Sequence, residues 1–398
     1  MAANIPTAVK ASTPGATGPI RVLVVDDSVV IRKILTDALA ADPDVAVVGT
    51  AANGRIALGK LEALAPDLVT LDVEMPEMDG LTTLREIRKV RPKLPVIMFS
   101  TLTARGASAT LDALSAGASD YVTKPANVGS VTMAMARIRE ELIPKIKALC
   151  CGGGGHPSPR GARGTTAGSP GTGSTAITAG PVLLARASSG RLPVEVVVIG
   201  ISTGGPNALA AIAPGLPADL PVPVLIVQHM PPVFTRLLAE RLSAKCPLPV
   251  QEAVAGEPIL AGRVYVAPGD FHMFVERSPA LAVAAGPRRQ IGLSQAPPEN
   301  SCRPAVDVLF RSAAAVYGSG TLALVLTGMG SDGLHGCEAI RAAGGTVLAQ
   351  DEATSTVWGM PGFVARAGLA EMLLPLGDVA AAIARRVHDS RAPRRATA

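Results

Sequence analysis

The run RVLVVDD at positions 21–27 is followed by VIRKILTDALAAD (30–42), VAVVGTA (45–51), GRIALGKLEALA (54–65) and LVTLDVEM (68–75). Short β-branched segments alternate here with stretches whose apolar residues recur at helical spacing. Working outward, the rhythm continues through LTTLREIRKV (81–90), LPVIMFS (94–100), ASATLDALSAGA (107–118) and DYVTK (120–124) to a helical stretch ending near Leu149. Five strands, each followed by a helix, predict a small doubly wound parallel α/β domain over 21–149, preceded by a disordered tail at 1–20.

The composition supports that class. Of 398 residues 48% are apolar but only 3% aromatic, so the cores must be built from Val, Ile, Leu and Ala, which suits parallel strands buried on both faces. From 150 to 191 the text becomes GGGGHPSPRGARGTTAGSPGTGSTAITAG and similar, too poor in large apolar side chains to offset its ordering entropy. It reads as a flexible linker, and His156 within it as a solvated side chain. A second α/β pattern occupies 192–387: VEVVVIG (194–200), VPVLIVQHM (222–230), and TLALVLTGMGSDG (321–333) leading into LHGCEAIRAAG. It reads as mostly parallel and doubly wound, and RVYVAPGDFHMFVE (263–276) with LAVAAGPRRQIGLS (281–294) reads as an inserted antiparallel hairpin. Residues 388–398 form a basic tail.

Net charge is +5, but the surplus arginines lie in the linker (Arg160, Arg163, Arg186, Arg191) and at the end (Arg385, Arg386, Arg391, Arg394, Arg395). Neither group is interleaved with aromatics or set on a helix–turn–helix pattern, so nucleic-acid binding is not expected. Five cysteines without a CxxC pair point to a reducing compartment. No signal-peptide core and no run of about 18 apolar residues is found. A cytoplasmic protein without membrane insertion, and a monomer, is the expectation.

Asp26 and Asp27 close the first strand, Asp72 the third and Ser100 the fourth, while Lys124 follows the fifth. In a parallel sheet all carboxyl ends share one edge, so these residues can converge. Crowded carboxylates repel, and a hard dication with a taste for oxygen, Mg²⁺ above all, relieves the repulsion. A carboxylate beside Mg²⁺ and an ammonium is poised to attack phosphorus. Asp72 is the expected acceptor, Asp26 and Asp27 the metal holders with the Glu74 backbone carbonyl, Lys124 the partner of the acyl phosphate, and Ser100 a hydrogen-bond donor to it. The set DD, D-x-E-M-P-x-M-D-G and K-P resembles the receiver domain of two-component response regulators across 20–140. The resemblance implies phosphorylation of Asp72 by a histidine kinase, with Ser100 and Tyr121 as switch residues, although Tyr121 is equally readable as core.

In the second domain a strand runs into Gly200-Ile201-Ser202-Thr203-Gly204-Gly205-Pro206 and then a helix. A serine at such a turn lies near backbone N–H groups and a helix N-terminus. The arrangement suits either anion binding or acyl transfer, though it has neither the lysine of a P-loop nor dinucleotide-loop spacing. The rest of the domain favours acyl transfer: His229 ends a strand expected beside the first, and Asp332 follows TLALVL on the same edge, as a nucleophile–base–carboxylate set requires. His272, in the expected hairpin, is a rival base. His335, three residues past Asp332, pairs with no further Cys or carboxylate cluster and reads as a helix-start histidine rather than a zinc ligand.

G-I-S-T-G-G-P (200–206), V-Q-H-M-P (227–231), Y-V-A-P-G-D (265–270) and L-T-G-M-G-S-D-G (326–333) resemble, in this order, the catalytic domain of the chemotaxis protein-glutamate methylesterases, the CheB family. The resemblance implies Ser202 as nucleophile, His229 as base, Asp332 as its orienting group, and the N–H of Met329, helped by Thr203, at the oxyanion. Asn300, Cys302 and Arg303 would line the cleft. The implied reaction is hydrolysis of glutamyl methyl esters, and deamidation of glutamines, on chemoreceptors, without a cofactor for the esterase step. The implied partners are methyl-accepting chemoreceptors as substrate and a chemotaxis histidine kinase as phosphodonor, with the receiver restricting access until it is phosphorylated.

Overall fold

The computed structural model describes residues 18–124, 131–150, 184, 192–278 and 289–391. Most of the expected N-terminal tail, nearly all of the linker with His156, and most of the basic C-terminal tail lie outside the described residues. The chain divides into two compact units.

The first carries β1 (Ile20–Val25), α1 (Val29–Leu39), β2 (Val45–Ala51), α2 (Gly54–Leu64), β3 (Leu68–Asp72), α3 (Gly80–Val90), β4 (Val96–Ser100), β5 (Asp120–Thr123) and α5 (Val131–Cys150) in chain order, whereas α4 (Ala104–Ser115), which follows β4 in the chain, groups with the second unit. Its five strands are parallel in the order β2-β1-β3-β4-β5. Every residue of β3 and β4 is buried, as the unbroken apolar runs require, whereas the edge strand β2 is only partly covered. Val22, Val24, Leu35, Leu39, Phe99 and Leu142 belong to one continuous core. Helix starts are fixed locally: Ser28, Asn53 and Asp79 cap α1, α2 and α3 by accepting the amides of Ile31, Ile56 and Thr82. Chain order reverses between β1 and β3, so the crevice at their carboxyl ends lies where Asp26 and Asp72 stand.

The second unit follows with β6 (Val196–Ile201), α6 (Gly205–Ile212), β7 (Val224–Gln228), α7 (Phe234–Ser243), β8 (Val250–Glu252), β9 (Val264–Val266), β10 (His272–Arg277), β11 (Arg289–Ser294), α8 (Val306–Tyr317), β12 (Thr321–Val325), α9 (Leu334–Ala342), β13 (Thr346–Gln350), α10 (Met360–Arg366), β14 (Met372–Leu374) and α11 (Val379–Asp389). Seven of these strands form one parallel sheet in the order β14-β13-β12-β6-β7-β9-β8. Strands β6, β7, β12 and β13 are buried throughout. The chain leaves β6 toward β7 and returns later to β6's other side as β12, so the switch point lies between β6 and β12.

One expected boundary changes. The hairpin is β10 with β11, antiparallel from His272↔Ser294 to Arg277↔Arg289. Tyr265 and its neighbours are instead a parallel strand of the main sheet, paired with both β7 and β8, because Val264, Tyr265 and Val266 are all buried and the Pro268-Gly269 turn separates them from the hairpin.

Candidate active site

At the first switch point the acidic groups converge. Asp26, Asp27 and Asp72 each offer a carboxylate oxygen, all within 4.8 Å of one another. Lys124 Nζ lies 2.9 Å from Asp26 Oδ2 and 2.8 Å from Asp72 Oδ2. Those two oxygens are buried and accept no hydrogen bond of good geometry. Two buried anionic oxygens facing a single ammonium, with a third carboxylate at hand, form an all-oxygen donor set suited to Mg²⁺. The backbone assists: Ser28 N–H donates to Asp26 Oδ1 at 2.8 Å, and Glu74 N–H approaches Asp72 Oδ1 at 3.4 Å. Gly80 is required, since a Cβ there would collide with the Asp72 carbonyl oxygen. Ser100 is buried at the end of β4, and its carbonyl accepts the Lys124 amide. The Tyr121 ring is buried within β5 under Lys145 Nζ, 5.3 Å from its centroid.

Burial first, and then the charge of Asp26, raise Asp72 from its ordinary 3.8 to about 6 against the opposing pull of Lys124. The folded value lies above the unfolded one, so the native state keeps a proton that the unfolded chain has released between these limits. That stability is full below the unfolded pKa and is lost as pH rises through about 6. In EDTA, Asp72→Asn should therefore come close to the wild type near pH ~4 and exceed it at neutral pH by on the order of 3 kcal/mol. Urea unfolding of the receiver transition checks this, and parallel pH profiles for the two proteins would refute it.

At the second switch point, Ile201 pairs with Gln228 in the β6–β7 register and the His229 amide donates to Ile201 O. Ser202 and His229 are thus the next facing pair, one strand spacing of about 4.8 Å apart in backbone. Gln228 Nε2 donates to the carbonyls of both, at 3.0 and 3.3 Å. Across β12, Ser202 N–H donates to Thr327 O, and Gly328 packs so tightly that a Cβ there would fall 2.8 Å from Ser202 Cβ. The amides of Thr203, Met329 and Gly330 donate to no acceptor among the described residues. The Ser202 hydroxyl likewise makes no hydrogen bond among them.

Asp332 is the most heavily bonded group of the site. Its Oδ2 accepts from His229 Nε2 at 2.8 Å and Val306 N–H at 2.7 Å. Its Oδ1 accepts from Asn300 Nδ2 at 2.9 Å and Asp307 N–H at 3.0 Å. Burial opposes its charge, but the bonds from His229 and the two amides hold the carboxyl below its usual range. Burial likewise works against a charged His229, whereas Cys302 and Asp332 favour it, and the net direction is upward. The imidazolium formed when such a ring takes a proton is therefore stabilised. With Nε2–H given to Asp332, Nδ1 carries the lone pair, and Cys302 Sγ is hydrogen-bonded to it at 3.5 Å.

The other nominated residues sort differently. His272 is buried, with Nε2 on Pro297 O and Nδ1 accepting Ala305 N–H, so it holds the 297–305 loop and has no nitrogen left for base work. His335 is exposed and pairs with Glu338. Arg303 bonds Asp270 and the carbonyls of Gln295 and Ala296. The sequence did not single out Gln228 or Asp307. Asp307 is fully buried and accepts Gly336 N–H and Asn300 Nδ2 at 2.6 and 2.9 Å. A polar residue closing an otherwise apolar strand, and an acid inside V-D-V-L-F, were the available signals.

A five-stranded unit with an acidic, lysine-bearing edge and a seven-stranded unit with a serine and a His–Asp pair at its switch point define a class: a response regulator whose output domain is an α/β enzyme. A response regulator receiver model matches residues 22–136 and a CheB methylesterase model residues 197–383. The chain is 57% identical over 368 residues to a protein-glutamate methylesterase/protein-glutamine glutaminase of a Nocardioides species, covering 92% of this chain and 95% of that one. It therefore belongs to the CheB family of receiver-linked protein-glutamate methylesterase/protein-glutamine glutaminases. A relative of the same name from Trichodesmium erythraeum is 50% identical over 367 residues, 92% of this chain and 99% of its own. The crystal structure of the Thermotoga maritima CheB methylesterase catalytic domain is 42% identical, covers 48% of this chain and 96% of its own, and aligns with a TM-score of 0.45. No helix among the described residues is long and apolar enough to cross a membrane.

Proposed function

We propose that the chain hydrolyses γ-glutamyl methyl esters, and deamidates glutamines, on methyl-accepting chemoreceptors, with Ser202, His229 and Asp332 performing the reaction and Asp72 receiving the activating phosphoryl group. The observation that supports it most is the His229–Asp332 pair standing one strand from a serine beside three unpaired amides. Ser202 Oγ attacks the ester carbonyl while His229 Nδ1 takes its proton. Asp332, already anionic, steadies the imidazolium, and the N–H groups of Met329 and Thr203 receive the oxyanion. The imidazolium then protonates the departing methoxide. Water, deprotonated by the same nitrogen, frees the acyl group as a carboxylate and restores the serine. Ser202 Oγ reaches Nδ1 when substrate orders the site, since catalytic hydrogen bonds commonly tighten only in the complex. Purified protein given methylated receptor should release methanol.

In the receiver, Asp26, Asp27 and Asp72, with the Glu74 carbonyl, would hold Mg²⁺, which supplies charge to the phosphoryl oxygens when bound. Asp72 attacks phosphorus, Lys124 pairs with the acyl phosphate and Ser100 donates to it. Tyr121 and Ser100 would change position with phosphorylation. A chemotaxis histidine kinase is the donor in the cell. Acetyl phosphate with Mg²⁺ should raise the methanol rate of the full chain, and Asp72→Asn should abolish that rise while retaining the basal rate. A mutant that still responds would remove Asp72 as acceptor.

A further inference from the structure

We propose that His229 and Cys302 form an inhibitory site for a borderline-soft divalent cation, with Zn²⁺ as its chemical type. A tetrahedral zinc ion bonded at about 2.0 Å to nitrogen and 2.3 Å to sulfur holds those two atoms about 3.5 Å apart. His229 Nδ1 and Cys302 Sγ are already 3.5 Å apart, so their spacing matches that of a bridging ion and a turn of the ring or thiol about its bonds would seat it. The second ring nitrogen faces Asp332 at 2.8 Å. A carboxylate behind a ligating imidazole is the arrangement that fixes the tautomer, aims the ring and raises ligand basicity at zinc sites. The three groups together place one ligand atom each within 4.8 Å of the others.

Two features hold the thiol in place. Residues 299–302 make a tight turn in which the amides of Glu299 and Cys302 each donate to the other's carbonyl, with Asn300 at φ 53 and Ser301 at φ 61, the left-handed pair of a type I′ turn. Asn300 also anchors that turn to Asp332 and Asp307. The thiolate and the imidazole lone pair suit zinc, in contrast with the all-oxygen pocket of the receiver. With two protein ligands, binding is reversible and leaves positions for water.

The inhibitory consequence rests on the esterase reading, because the ion occupies the lone pair that would take the serine proton. Free Zn²⁺ should then suppress methanol release, and EDTA should restore it. Cys302→Ala and Cys302→Ser, each compared with its own metal-free rate, should need about tenfold more zinc or higher for half inhibition. An independent readout needs no turnover: Co²⁺ titrated into the full chain should give a thiolate-to-cobalt charge-transfer band that both variants lose. No band in the wild type, or a band and a zinc sensitivity that both variants retain, overturns the site. A Cys302-dependent band with a methanol rate indifferent to zinc keeps the site and instead removes His229 as the base.

Discussion

Ser202→Ala is expected to lower methanol release by about 10³-fold or more at saturating receptor, with and without a phosphodonor. The nucleophile would be gone while the unpaired amides of Thr203 and Met329 still bind the ester, so the residual rate is what oxyanion stabilisation and positioning retain. The hydroxyl makes no hydrogen bond among the described residues, so its removal should leave unfolding within about 0.5 kcal/mol of wild type. On the proposed reading, uptake of phosphate at Asp72 should be unaffected, since Asp72 stands in the other unit. If the Gly204-Gly205 turn only held an anion, the variant would change affinity and there would be no turnover to lose. A Ser202→Ala enzyme that releases methanol at the wild-type rate would end the serine-esterase reading.

The fold was legible because parallel strands buried on both faces leave unbroken apolar runs, and because side chains at their carboxyl ends must share an edge. That single rule located Asp26, Asp72 and Lys124 in one unit, and brought Ser202, His229 and Asp332 to one edge in the other. It fails where residues reach the site from outside the sheet. Asn300 and Cys302 arrive on a turn in a stretch without periodicity, and nothing in the spacing of Cys302 from His229 announces that the two side chains meet. Val264–Val266 was misplaced because three residues are too few to show a period. His272 looked like a rival base since a histidine beside a turn gives no sign of which acceptor holds it; the carbonyl of Pro297 does. Asp307 was hidden by its neighbours, an acid in a buried helix start whose bonds to Gly336 and Asn300 exist only after α8 and α9 pack together.

Asp332→Asn should cost more than its near-identical shape suggests, about 10⁴-fold in turnover by analogy with the same change in other nucleophile–base–carboxylate sets. Each carboxylate oxygen accepts two hydrogen bonds, and of the four donors only Asn300 Nδ2 has a second acceptor in place, Asp307 Oδ2. If the amide oxygen replaces Oδ1, it keeps Asn300 and the Asp307 amide. The new NH₂ group then confronts the Val306 N–H, which stood 2.7 Å from an acceptor, and can meet His229 only if Nε2 gives up its proton. The ring would then carry hydrogen on Nδ1, the nitrogen proposed to accept the serine proton, and the imidazolium would lose its anionic partner. The buried Val306 amide is left without an acceptor, a loss of about 1–3 kcal/mol in stability. Ser202→Ala should show no such loss, so the two substitutions separate chemistry from support: both lower turnover by orders of magnitude, and only Asp332→Asn shifts the unfolding midpoint. Equal midpoints for the two variants would mean that the four donors find partners without this carboxylate, and the account of how the base is held would have to be abandoned.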